Sequence, residues 1–169
     1  MTYEIRPALA SDQSFLWQML YYAAHMDEGA EPLESARVNP MLAPYVEGYG
    51  RPGDLGVIAI DAATSTNAGA AWIRTMPAGW PLHRFVDAAI PELAIAVAPA
   101  YVGRGAGTQL IAHLMDSAAE IYPVIALSVR SSNPAKALYE RMGFATVAEI
   151  TNRIGGTSFI MRAALVRPR

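Results

Sequence analysis

Four features of this sequence could take part in chemistry. Gly103, Gly105 and Gly107 alternate in Val-Gly-Arg-Gly-Ala-Gly-Thr, between an apolar run at 92–97 and an amphipathic run that follows. Glycines there leave backbone N–H groups bare, and a helix start beside them adds the positive end of its dipole, so the turn suits an anion such as a phosphate. Glu92 is a carboxylate at the head of an otherwise apolar strand, where burial would lift its pKa toward that of a useful base. Tyr139 carries a phenol with a reference pKa of about 10, so at neutral pH it has a proton to give. Asn133-Pro134 opens the helical stretch that bears it. Each has an ordinary structural alternative: a tight strand-to-helix connection, an exposed strand end, a core tyrosine, a helix cap. His25, His83 and His113 show no ligand spacing and are read as structural or solvated, and no metal is expected.

Hydrophobic periodicity supplies the elements that must position these groups. Residues 3–6 alternate and stop at Pro7, as a first strand would. Ser11 or Asp12 is placed to cap a helix whose Phe15, Leu16, Met19, Leu20 and Ala23 recur at helical spacing. The next stretch, to Asp54, is rich in Pro and Gly, with Asn39-Pro40 as a short helix start. Runs at 55–60 and 68–75 make a hairpin across a polar turn. After an irregular 76–87 come the strand at 92–97, the glycine turn and a helix with Leu110, Ile111, Leu114, Met115, Ala118 and Ile121 on one stripe. The apolar run at 124–129 reads as a strand covered on both faces. The helix from Asn133-Pro134 ends at Gly143, and 144–150 with 157–163 form a last antiparallel pair. The whole reads as one domain, 1–169, an α+β sheet protein with helices on both faces.

Composition narrows the class. Apolar residues make up 53% and charged residues 17%, a globular balance. A net charge of −2, without a Lys/Arg block, argues against nucleic-acid binding. There is no cysteine, so disulfides, thiolate metal sites and a Cys nucleophile are excluded. The N-terminus lacks the order of a signal peptide, and no uncharged apolar run reaches the ~18 residues of a membrane helix. A cytoplasmic protein with no membrane partner is expected.

Two nucleotide motifs fail by spacing. Counting Gly-x-Gly-x-x-Gly from Gly103 puts Thr108 at the third glycine, and from Gly105 it puts Leu110 there. No Gly-Lys-Ser/Thr of a P-loop is present. What remains is the glycine turn, Arg104-Gly105-Ala106-Gly107-Thr108, followed later by Asn133-Pro134-Ala135-Lys136-Ala137-Leu138-Tyr139 and Gly143-Phe144. In this order the two motifs resemble the GNAT superfamily of acyl-CoA-dependent N-acyltransferases, most strongly from Pro91 to Phe144. The resemblance implies a mixed, mostly antiparallel sheet with a splayed strand pair forming a cleft for acetyl-CoA, the co-substrate. Main-chain groups of Ile95, Ala96 and Val97 would bind the pantetheine arm. The amides of Arg104, Gly105, Ala106, Gly107 and Thr108 would hold the diphosphate, and Asn133, Ala135 and Tyr139 would face the cofactor from the far side. The family's turn often begins with Gln or Arg where Val102 stands, a departure that leaves the main-chain contacts in place.

The same resemblance gives Tyr139 the role of general acid toward the thiolate and the Val97 amide that of oxyanion donor. Glu92 would take the ammonium proton or only bind the acceptor; alternatively the amine arrives neutral. Tyr21, Tyr22, Met26, Tyr45, Trp72, Trp80 and Phe85 make the expected acceptor region aromatic, which suits a small-molecule amine. Asp27, Glu28 and Glu31 are read as a solvated loop. Acetylation of protein N-termini or lysines ranks second, and the rival class is a non-catalytic acyl-CoA sensor. The edge at 157–165 is open to a second copy, so a homodimer is expected.

Overall fold

In the computed structural model, which describes residues 1–152 and 154–167, the alternating N-terminus forms β1 (Tyr3–Pro7), antiparallel to β2 (Leu55–Asp61). β2 turns into β3 (Thr66–Arg74), which starts earlier than periodicity indicates because Thr66 lies in register with Asp61. Between β1 and β2 lie α1 (Gln13–Ala23) and the four-residue α2 (Ser35–Val38). Then follow β4 (Glu92–Val97), α3 (Ala106–Ala118), β5 (Val124–Arg130), α4 (Ala135–Arg141), β6 (Ala145–Thr151) and β7 (Thr157–Ala164). The strands make one mixed, mostly antiparallel sheet in the order β1-β2-β3-β4-β5-β7-β6, with β4 and β5 parallel. Among the described residues no helix is long and apolar enough to cross a membrane.

The chain divides into two compact units, each drawn from two separated stretches: 1–74 with 94–114, and 75–93 with 115–169. In the first unit α1 buries Leu16, Met19 and Leu20, the expected stripe, together with Ile58 of β2 and Trp72 of β3. Gly69 of β3 has a packing reason, since a Cβ there would stand 2.8 Å from Ala96 O and 3.1 Å from Val97 Cα. Asp12 does not cap α1 with its side chain. It faces backward, accepting the Leu9 N–H at 2.7 Å and pairing with Arg6 at 2.8 Å. Asn39-Pro40 starts no helix either: Asn39 Oδ1 accepts the Met41 N–H at 2.9 Å, a side-chain turn that competes with helical pairing.

The second unit carries the strands β5, β7 and β6, antiparallel in that order. β7 is therefore paired on both sides and the free edge is β6, which corrects the expectation of an open edge at 157–165. Gly143 ends α4 with φ of +100°, a left-handed conformation that glycine adopts without strain. Ile121 falls beyond the end of α3 and is exposed, so the apolar stripe stops at Ala118.

The last residue of β3 is the largest electrostatic commitment of the first unit. Arg74 is 1% exposed. Its Nη1 donates to Pro44 O at 3.0 Å and to Glu47 O at 2.8 Å, and Nη2 lies 3.1 Å from Asp54 Oδ2. Asp54 in turn accepts the N–H groups of Gly50 and Arg51, each at 3.0 Å. Burial pushes the Asp54 carboxyl up, but Arg74 and these amides outweigh it and hold the group below the usual carboxylate range. Removing one member of such a pair leaves a buried charge uncompensated. Arg74→Met is expected to lower unfolding free energy by about 3 kcal/mol or more, read from urea denaturation midpoints. A loss below about 1 kcal/mol would mean that the pair is incidental to the fold.

Candidate active site

The glycine turn lies in the first unit. Gly103 and Gly105 have φ of +76° and +87°, which calls for glycine, and a Cβ on either would meet nothing within 4 Å. Gly107 differs from them, standing inside the first turn of α3. The Gln109 N–H is the first to reach back, to Gly105 O at 3.3 Å. The N–H groups of Ala106, Gly107 and Thr108 precede it, so helix geometry gives them no intrahelical acceptor and they project from the positive end of a 13-residue helix. Arg104 is exposed and also lines an open pocket with Met1, Thr2, Asp61, Ala62 and Ala63. There the Ala63 N–H, with Thr64 and the Tyr101 hydroxyl, holds the Asp61 carboxyl below its ordinary range.

Upstream of the turn, the main chain of β4 has a defined sidedness. The Ala98 N–H donates to Ala68 O at 2.8 Å, at the β3 edge. Successive residues of an extended strand point their N–H and C=O groups to opposite edges. Ala96 therefore shares the β3 side with Ala98, and Ile95 and Val97 turn their polar groups to the other edge.

The second unit holds the titratable groups. Glu92 is 3% exposed and stands in register with Ala126 of β5. The Trp80 indole N–H donates to Glu92 Oε1 at 2.9 Å. Glu92 is thus neither an exposed strand end nor an isolated carboxylate. Asn133 Oδ1 accepts the Ala135 N–H at 2.9 Å and fixes the start of α4. One and a half turns on, Tyr139 is buried, with its ring edge-on to Phe144 at 6.0 Å between centroids. Burial alone pushes its phenol up to about 12, and among the described residues its hydroxyl has no hydrogen-bond partner. The result is a protonated phenol with its hydrogen uncommitted.

The site residues named from sequence thus divide by unit: Ile95, Ala96, Val97 and 104–108 in the first, Glu92, Asn133, Ala135 and Tyr139 in the second. Trp80 is named from sequence only as part of the aromatic region; its hydrogen bond to Glu92 joins a loop to a strand and leaves no repeating pattern. Three members of the expected aromatic wall are buried, Trp80 among them. Met26 is buried, and Trp72 is buried with its indole N–H donated to Tyr45 O at 2.7 Å. Asp27 and Glu28 are exposed, whereas Glu31 is half-buried, with its carbonyl accepting the Tyr21 hydroxyl.

Comparison with known proteins follows the same lines. A family model described as an acetyltransferase (GNAT) domain matches residues 57–146, more than half of the chain. No curated protein sequence matches. Among solved structures the chain is similar to a putative GNAT-family acetyltransferase from Bordetella pertussis, at 20% identity and a TM-score of 0.70, over 96% of this chain and 95% of that one. It is similar also to a spermidine N-acetyltransferase chimera from Vibrio cholerae, at 20% identity and a TM-score of 0.67, over 98% and 96%. A third is an aminoglycoside acetyltransferase in complex with coenzyme A and kanamycin, at 19% identity and a TM-score of 0.63, over 96% and 95%. At these identities the structures speak for the fold, and the family model for the class. This chain belongs to the GNAT family and is an acetyl-CoA-dependent N-acetyltransferase.

Proposed function

We propose that the chain, as a single domain over 1–169, moves an acetyl group from acetyl-CoA to the primary amine of a small molecule by direct transfer. The observation that carries this reading is the Tyr139 phenol, buried, protonated and uncommitted. The amine nitrogen attacks the thioester carbonyl, a C–N bond forms, and a tetrahedral oxyanion results. The Val97 N–H, turned away from β3, serves as its donor, and preorganised donors of this kind are a major source of rate. As the C–S bond breaks, Tyr139 gives its hydroxyl hydrogen to the leaving sulfur and is reprotonated from solvent. Glu92, held by Trp80, receives the proton that the amine sheds. The helix-start amides at 106–108, with those of Arg104 and Gly105, bind the diphosphate, main-chain groups of Ile95, Ala96 and Val97 take the pantetheine arm, and Asn133 and Ala135 complete the cofactor contacts. A small acceptor is favoured by the likeness to a spermidine and an aminoglycoside acetyltransferase. A homodimer built on a sheet edge would use β6 or β1.

Incubation with acetyl-CoA and an amine panel, followed through free thiol, tests the acceptor class; spermidine, kanamycin, tyramine and a short peptide form a first panel. Turnover on a small amine is expected, and activity confined to the peptide would reverse the assignment. Tyr139→Phe should lower kcat by about 100-fold while acetyl-CoA affinity stays within about twofold. Unchanged turnover would remove the general-acid role. The raised pKa has its own signature. Protonated in the fold, Tyr139 contributes stability that is complete below about pH 10 and is lost as pH rises toward about 12. In an ultraviolet titration the phenolate signal that Tyr139→Phe removes should therefore appear near pH 12, and its appearance near 10 would show an exposed ring.

A further inference from the structure

The segment between β3 and β4 holds a ring nitrogen that the acetyl transfer above does not use. At its centre a one-turn 3-10 helix, Pro81–Arg84, is closed by the His83 N–H donating to Trp80 O at 2.9 Å. Trp80 is the extended residue that opens this turn and His83 the residue whose amide closes it, so one backbone hydrogen bond ties the two together. The Trp80 ring nitrogen is committed to Glu92. That of His83 is not: Nε2 is buried and, among the described residues, meets no hydrogen-bond partner. Met76, Trp80, Leu82 and Val86 of the same segment are buried as well.

Buried polar atoms without partners are rare, because the fold bears their desolvation and recovers nothing. A ligand that supplies the missing bond recovers it. The imidazole is suited to either sense, accepting at Nε2 in one neutral tautomer and donating in the other. We propose that His83 is a further acceptor-binding residue, its Nε2 hydrogen-bonding a polar group of the amine that the Glu92–Trp80 pair receives. This rests on the small-amine acetyltransferase reading. It also sharpens the substrate class. Besides Glu92 the only carboxylate in the segment is the exposed Asp87. The segment thus matches a compact primary monoamine with an apolar body and one second hydrogen-bonding group, better than a polyamine that needs several carboxylates.

His83→Leu and His83→Gln separate a binding role from a structural one, with the most active small amine of a panel of tyramine, 2-phenylethylamine, spermidine and kanamycin as probe. With Leu, kcat/KM for the amine should fall at least tenfold, largely through KM. KM for acetyl-CoA should be unchanged, and the melting temperature should hold or rise because an orphaned polar atom is gone. With Gln, whose amide reaches the position of Nε2, a substantial part of the amine kcat/KM should return. An unchanged amine kcat/KM in the Leu variant, or a fall matched by a lower melting temperature and not rescued by Gln, overturns the proposal alone. A wild-type protein that acetylates no amine of the panel, or only spermidine or kanamycin, overturns it too; the first result removes the acetyl-transfer reading as well, and the second leaves that reading standing.

Discussion

The sidedness of one strand governs what the first unit can offer a ligand. Once the Ala98 N–H is bonded to Ala68 O, the period of two in an extended chain leaves Ile95 and Val97 facing the other edge. Gly69 reinforces the arrangement from the β3 side, because its missing Cβ is what lets Ala96 and Val97 come close. The strand then ends at Ala98-Pro99, and the chain turns through Gly103 and Gly105 into a helix whose first amides have no partner within it. A run of main-chain donors, turned from β3 or without an acceptor inside the helix, thus follows from a hydrogen bond, two left-handed glycines and a helix start. No side chain has to be specific for this, which is consistent with Val102 standing where the family often has Gln or Arg.

Much of this was legible in the sequence, and the parts that were not share a cause. Strand β4 was read with its structural bounds, and Gly143 as a left-handed helix end, because apolar runs and glycine punctuation are local signals. The glycine turn and Asn133 were found by order and spacing. The Glu92–Trp80 bond was not, since a loop aromatic and a strand carboxylate twelve positions apart leave no periodic trace. Arg74 read merely as the end of a strand, although it is buried and ties 44–54 to β3. Asp12 and Asn39 were placed at helix starts by residue type, and each found a competing backbone amide. Short polar side chains serve turns and helix ends equally well, so type alone does not choose.

Buried polar groups are used in two ways. Arg74 donates through Nη1 to Pro44 O and Glu47 O, and its charge is balanced by Asp54, so it is tied to the fold. His83 differs, with its Nε2 enclosed and without a hydrogen-bond partner among the described residues, while Tyr139 buries its ring on α4. A fold selected only for stability would fill such sites with apolar side chains or give them partners.

The interleaving of the two units bears on how the chain is made. The first unit requires 94–114 as well as 1–74, and the second requires 75–93 as well as 115–169. A ribosome releasing the chain from its N-terminus cannot complete the first unit until α3 has emerged, although β1, β2 and β3 are already out. Through that interval the β3 edge awaits β4, and the apolar face that Leu110 and Ile111 will cover has no lid. Vectorial synthesis therefore gives this protein a defined window of exposure, which closes as the glycine turn and its helix leave the tunnel.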